Sequence, residues 1–191
     1  MGGARTTNGG EGIQKYLAYS FLYDDPQDLR CDFEIATDEI ASMIGLLASL
    51  IQDGALRGDL NRLNELMYHI NPSLRTKTAV TGDELDWLRG RVGELQERIK
   101  EGFDRAAPSR AGAPRFVVPQ GCTAACYSHI IRNKCKALVR LLYRCREQGV
   151  KTEPILFHFI NLYSGYFYSL ALKLNQDEGA AEIPFTSRVY S

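Results

Sequence analysis

The chain has 191 residues, enough for one domain with a full core and too few for two ordinary ones. Its 23 Lys plus Arg cancel its 23 Asp plus Glu and 45% of it is hydrophobic, which excludes a disordered tail and a generally basic nucleic-acid binder. No apolar stretch follows a basic start, and the run ASMIGLLASLI at 41–51 falls short of the ~20 residues of a membrane span. The expectation is a soluble, cytoplasmic protein with no nucleic-acid or membrane partner.

Residues 1–30 are Gly-rich and then acidic, with TTNGGEG at 6–12 and DDPQDLR at 24–30, and read as a loop. From about 33 to 52, Phe33, Ile40, Met43, Ile44, Leu47, Leu50 and Ile51 recur at helical spacings and predict an amphipathic helix. Asp59 is placed to cap a second helix running to about Ile70, which NPS at 71–73 stops. A third is expected from Asp83 to about Phe103, with Leu85, Leu88, Val92, Leu95 and Ile99 as its seam. DRAAPSRAGAPR at 104–115 is a linker loop.

A fourth helix follows Pro119 and runs to about Gln148, with one buried stripe at 124, 127, 131, 135, 138, 142 and 145. Gly149 ends it. Pro154 opens a fifth helix whose run FHFINLYSGYFYSLAL is apolar nearly all round, so it is central or at a subunit interface. NQDEGAAEIPFTSRVYS closes the chain as a ragged tail. No convincing strand pair appears, and the predicted fold class is an all-α, five-helix up-and-down bundle. Five cysteines lie at 31, 122, 126, 135 and 145, four of them in the fourth helix where they cannot all pair, so reduced thiols are expected.

The fourth helix carries the strongest functional signal. From Pro119 to Arg146 there are six basic residues (Arg132, Lys134, Lys136, Arg140, Arg144, Arg146) and no acid. The face opposite the predicted stripe holds Cys122, Cys126, His129, Asn133, Lys136 and Arg140, with Arg132 beside it. Solvated helix faces normally interleave opposite charges at i, i+4, and this one does not. A one-signed row needs a phosphate, an acidic stretch of the fold, or bulk water opposite it. Residues 24–39 supply seven acids against one Arg, and Asp38 and Glu39 are placed to pair with Arg132 or Lys136 within a subunit or across an interface.

These residues are also recognisable. FVVPQGCTAACYSHIIRNKC at 116–135 resembles the F-x-x-P-G-G and H-x-A-R-x-x-x-R elements of the PduO-type ATP:cob(I)alamin adenosyltransferases. ATDEIASMIGLL at 36–47 is similar to that family's T-V-D-E-L-N-x-x-I-G-L, LNRLNELMYHINPSL at 60–74 to its second helix, and FINLYSGYFYSLAL at 159–172 to its Y-L-N-R-L-S-D-x-L-F. The resemblance implies a homotrimer with active sites between subunits. It implies transfer of the 5′-deoxyadenosyl group of ATP to the cobalt of reduced cobalamin, with Mg2+ assisting, triphosphate leaving, and a reductase as a further partner. On that basis the chain divides into an N-terminal nucleotide-binding loop at 1–31, a helical bundle domain at 32–176 and a C-terminal tail at 177–191.

Residue by residue, the resemblance implies that Asp38 pairs with Arg132 across the subunit boundary and that Lys136 meets the ATP phosphates where the family has a second Arg. Lys136 keeps the charge and loses the planar fork. Phe116 matches an aromatic that crowds the lower corrin face and so eases reduction of cobalt; Asn161 and Ser164 match polar residues of the fifth-helix motif. His129 falls on a motif position, Arg140 extends the cationic row, and Gly9, Gly10 and Gly12 keep the backbone freedom of the family's T-K/R-T-G-D-x-G-x-T loop without its Lys and Asp. Leu162 and Gly165 replace the Arg and Asp of the fifth-helix motif.

Other signals stay open at this level. Cys122, Cys126 and His129, at i, i+4 and i+7, are either three metal ligands or ordinary small core and hydrogen-bonded residues. Phe157, Phe159, Tyr163, Tyr166, Phe167 and Tyr168 either line a flat corrin pocket or form core. The missing loop residues leave a non-catalytic corrinoid- or nucleotide-binding trimer, a carrier or sensor, as the alternative function. A bundle whose cationic helix docks a partner's acidic surface is the third possibility.

Overall fold

The structure, a computed structural model, describes residues 25–106 and 116–189. It contains five α-helices: α1 (Leu29–Leu50), α2 (Gly54–Ile70), α3 (Gly82–Ala106), α4 (Thr123–Glu147) and α5 (Pro154–Asp177). A single 3-10 turn, Asn71–Leu74, follows α2, where Pro72 removes a backbone donor. The all-α expectation holds among the described residues.

Helix starts follow their capping chemistry rather than the onset of apolar periodicity. Residues 29–31, expected in a loop, are the first turn of α1, because Asp28 accepts a hydrogen bond from the Arg30 backbone N–H at 3.1 Å. The Arg30 guanidinium also binds this carboxyl, which holds its pKa down at about 2. α2 is capped by Asp53, whose Oδ1 accepts from Ala55 N–H at 2.8 Å and Leu56 N–H at 3.1 Å. The predicted cap, Asp59, lies inside that helix instead, 3.3 Å from Arg91 Nε of α3, and burial raises its pKa. At the start of α3, Thr81 and Glu84 form a reciprocal capping box: Glu84 Oε2 accepts from Thr81 N–H at 2.8 Å and Thr81 Oγ1 accepts from Glu84 N–H at 3.3 Å.

α5 is the centre of the bundle, packed on both α3 and α4, while α1 packs on α2 and α4. It is long and apolar enough to cross a membrane by composition, yet most of it is covered by the other helices. Phe159, Tyr163, Tyr166 and Phe167 are fully buried, which assigns four of the six candidate pocket aromatics to the core. The Tyr163 hydroxyl donates to Leu63 O at 2.7 Å, so even this buried polar group is satisfied and ties α5 to α2. Phe157 and Tyr168 are only partly buried, and Tyr168 turns toward α4.

On α4 the buried stripe holds from Ile131 through Cys135, Leu138, Leu142 and Cys145. Nearer the N-terminus the buried residues are Ala125, Ser128 and His129 rather than Ala124 and Tyr127. His129 is about 160° around the helix from Ile131 and is buried all the same, because α5 brings the Tyr168 ring against that side, 6.2 Å between ring centres.

Two further ties brace the fold. Glu34 and Arg75 form a buried ion pair at 2.7 Å, and Asn71 Nδ2 donates to Glu34 O at 2.8 Å and Thr37 Oγ1 at 2.7 Å, joining α1 to the turn after α2. The tail is not ragged throughout. Past Gly179, at φ +67°, it returns to pair with the segment before α4. Val118 N–H donates to Ile183 O and Phe185 N–H to Phe116 O, both at 2.9 Å, around an antiparallel Val117–Pro184 bridge.

Candidate functional site

Arg132, Lys136 and Arg140 stand at i, i+4 and i+8 on α4, so they form one row along the helix. Lys136 and Arg140 are exposed, and none of the three has a carboxylate partner among the described residues. Arg132 is half-buried. Its guanidinium carbon sits 5.3 Å from the centre of the Tyr168 ring, Nη2 donates to Asn133 Oδ1 at 3.4 Å, and the buried Nε has no hydrogen-bond partner among the described residues. Burial lowers the Arg132 pKa, but a guanidinium retains its proton in proteins. The cation is thus partly desolvated, stacked on an aromatic face and still short of an anion.

The acids expected to meet this row are elsewhere. Asp38 is exposed on α1 and accepts a hydrogen bond from the Tyr68 hydroxyl at 3.0 Å; it does not pair with Arg132 within the chain. Glu39 bonds neither Arg132 nor Lys136 but Lys134, at 2.6 Å, because Lys134 lies on the α4 edge that faces α1. Among the described residues, the intramolecular complement predicted from charge therefore neutralises only Lys134.

His129 is 2% exposed, with its ring centre 6.2 Å from that of Tyr168 and both ring nitrogens unpartnered among the described residues. Burial, with Arg132 adding repulsion, pushes its pKa down to about 4, so the imidazole is neutral at pH 7. This corrects its placement on the outer cationic face. Cys126 Sγ lies 3.7 Å from Gly121 O, and with Cys122 and His129 it makes no metal-holding group among the described residues.

Phe116 is 61% exposed at the paired segment just before α4. The following turn is held by Asn175 of α5: Oδ1 accepts from Cys122 N–H at 3.0 Å, and Nδ2 donates to Gln120 O at 2.9 Å. Asn175 Nδ2 also donates to Glu182 Oε1 at 2.9 Å, and burial raises the Glu182 pKa. α4 and α5 run antiparallel, with Cys122 beside Asn175, Arg132 beside Tyr168 and Tyr143 beside Phe157. That register puts Ser164 level with the Asn133–Lys136 turn and Asn161 one turn further toward Arg140. Ser164 is buried and Asn161 exposed.

Arg132, Lys136 and Arg140 thus share one side of α4, His129 is buried beside Arg132 against Tyr168, Phe116 is exposed in the segment before α4, and Asp38 does not join them within this chain. Gly9, Gly10 and Gly12 lie outside the described residues. Sequence reading missed Asn175 and Glu182, and named Tyr168 only as a pocket or core aromatic, not as the ring beside Arg132 and His129. The available signal for Asn175 was an amide four residues after Ala171 on the buried face of an otherwise apolar helix.

The arrangement of helices is that of the PduO-type adenosyltransferases. A Phe-to-His variant of the PduO-type ATP:corrinoid adenosyltransferase from Lactobacillus reuteri, complexed with cobalamin and ATP, is 18% identical, covering 84% of this chain and 85% of that one with a TM-score of 0.69. An Arg-to-Lys variant of the Lactobacillus reuteri enzyme complexed with ATP is 20% identical, covering 83% and 88% with a TM-score of 0.70. No curated protein sequence matches the chain. The sequence profile of the cobalamin adenosyltransferases matches residues 25–174. The chain belongs to the cobalamin adenosyltransferase family.

Proposed function

We propose that this protein transfers the 5′-deoxyadenosyl group of ATP to the cobalt of reduced cobalamin, cob(I)alamin, forming adenosylcobalamin and releasing triphosphate. The observation that carries the reading is the family match across 25–174, which spans the anion-deficient α4 row. Cobalt(I) brings both electrons of the new cobalt–carbon bond, the C5′–O bond breaks, and its electron pair leaves with triphosphate. The protein needs no nucleophile or general acid of its own; its work is positioning and charge neutralisation. Lys136 and Arg140, with the Gly9, Gly10 and Gly12 loop, are assigned to the triphosphate, and Phe116 to the lower corrin face. His129, Asn161 and Ser164 are assigned to the nucleotide and corrin surroundings.

Mg2+ in such sites is carried largely by phosphate oxygens and water rather than by a protein cage. That suits a chain with no metal-holding cluster among its described residues. Arg132 and Asp38 are assigned to a boundary between copies in a homotrimer. The support is that each lacks the other within one chain, and that α1 leaves Ile35, Leu46 and Leu50 exposed. A cytoplasmic location, with a reductase supplying the electron, completes the reading.

The test is anaerobic incubation of the purified protein with ATP, Mg2+ and chemically reduced cobalamin, following adenosylcobalamin by absorbance together with triphosphate. Absence of both products refutes the proposal. TTNGGEG, lacking the family's Lys and Asp, favours one alternative: a non-catalytic corrinoid- or nucleotide-binding trimer. That protein would bind ligand without releasing triphosphate. An acidic partner docked on α4 would be favoured only if neither ligand bound.

A further inference from the structure

An exposed phenylalanine ring has to be aimed by its backbone, and at Phe116 that backbone is gripped from two sides. Asn175, 0% exposed in the last turn of α5, accepts from Cys122 N–H at 3.0 Å and donates to Gln120 O at 2.9 Å, one bond on each side of Gly121. Gly121 has φ +120°, and a Cβ there would meet Asn175 Oδ1 at 2.0 Å, so glycine is what allows the amide this close. The third bond, 2.9 Å to Glu182 Oε1, fixes the residue just before Ile183. The backbone from Ile183 to Phe185 then pairs with Val118 and Phe116. One buried amide therefore sets both ends of the 116–122 segment, directly at 120–122 and through the tail at 116–118. α4 has no side-chain cap of its own at Cys122, and Cys126 Sγ, a weak donor, reaches Gly121 O only at 3.7 Å.

We propose that Asn175 is a positioning residue for Phe116, holding the 116–122 segment and the returning tail in the one register that presents the ring to the corrin. The proposal rests on the role given to Phe116 above. It adds a residue outside every motif that resembles the family. Glu182 is its accessory: the amide donor offsets part of the burial that raises the carboxyl pKa, and Tyr168 feels the charges of both Arg132 and Glu182.

The experiment compares full-length wild type, Asn175→Ala, the isosteric Asn175→Asp, Phe116→Ala and the double variant. Asn175→Ala should lower kcat/KM for the corrinoid on the order of 10- to 100-fold, the penalty of a misplaced reacting geometry, with KM for ATP unchanged. The absorption spectrum of bound cobalt(II) corrinoid should keep the band of the axially ligated form, as in Phe116→Ala, and the double variant should be no worse than Phe116→Ala alone. Additive losses, a parallel loss of ATP affinity, or unchanged corrinoid kinetics would overturn the proposal. If Asn175→Ala does not fold, Asn175→Asp carries the test, since it keeps the acceptor for Cys122 N–H and loses both donors. A wild type without turnover would refute the functional assignment instead. Amide exchange then decides the positioning: Asn175→Asp should lose protection at Val118 N–H while Leu138 in mid-α4 keeps its own, and retained protection at Val118 overturns it.

Discussion

Replacing Glu34 by Ala should cost more stability than removing any surface ion pair in the protein. Its carboxylate lies 2.7 Å from Arg75 Nε, and the two side chains retain only 4% and 11% of their exposure, so both charges have left water. Removing the carboxylate takes from Arg75 its 2.7 Å partner in a poorly solvating site, and breaking a buried pair in this way costs about 3–5 kcal/mol. Against a total of about 5–15 kcal/mol that is a large fraction. At roughly 2–4 °C per kcal/mol for a chain of this size, the melting temperature should drop by about 6–20 °C. The assay is urea unfolding alongside calorimetry, with Glu34→Met/Arg75→Met as the control. Exchanging both charges for apolar groups of similar length should recover most of the loss, because neither side chain then carries a charge into the poorly solvating site. A Glu34→Ala loss below about 1 kcal/mol, the range of exposed pairs, would refute the premise that this bridge is desolvated. The outcome bears on the site because Glu34 is one helical turn before Asp38, and Asn71 bonds to the backbone oxygen of Glu34.

Lys134→Ala should have little effect by comparison, below about 1 kcal/mol by urea unfolding, because its 2.6 Å pair with Glu39 is half-exposed on both sides. Lys136→Ala should weaken ATP binding by about 1.5–3 kcal/mol in isothermal titration, the range of charge-assisted bonds, while leaving the melting temperature unchanged. An unaltered affinity would remove Lys136 from the phosphate site. His129 is neutral when folded and takes up a proton more easily when unfolded, since its pKa falls from 6.5 to about 4 on folding. Its contribution is therefore full above pH 6.5 and is lost as the pH falls toward 4; His129→Leu should flatten that part of the acid-unfolding profile.

Bundle class, helix order and the cationic row were legible because each is written in short-range periodicity. Phe33, Ile40, Ile44 and Leu47 on α1, and Ile131 to Cys145 on α4, are buried as their spacing dictates. Helix starts were less legible: Asp53 and Asp59 are equally good caps by residue type, and only the backbone leaving the helix at Asp53 decides between them. His129 was misplaced because a residue about 160° from the stripe reads as outward-facing, and the Tyr168 ring that covers it comes from the next helix, which the pattern on α4 does not record. The Glu34–Arg75 and Asn175–Gln120 ties join residues 41 and 55 positions apart, and no local pattern signals contacts of that kind. In the charge pattern, seven acids before α4's six cations suggested internal neutralisation. Among the described residues the geometry grants it to Lys134 alone, leaving Arg132, Lys136 and Arg140 without a carboxylate there.

The central place of α5 has a bearing on how the chain is made. During synthesis this helix is the last of the five to leave the ribosome, yet it is the one on which α3 and α4 close. The α1–α2 hairpin can pair as it emerges, whereas Leu88, Leu95, Leu138 and Leu142 have no finished core to enter until translation has passed Asp177. Nascent chains halted in the loop after α4 would carry an α3 without its partner and an α4 covered only on its α1 side, the natural targets of holding chaperones and of aggregation.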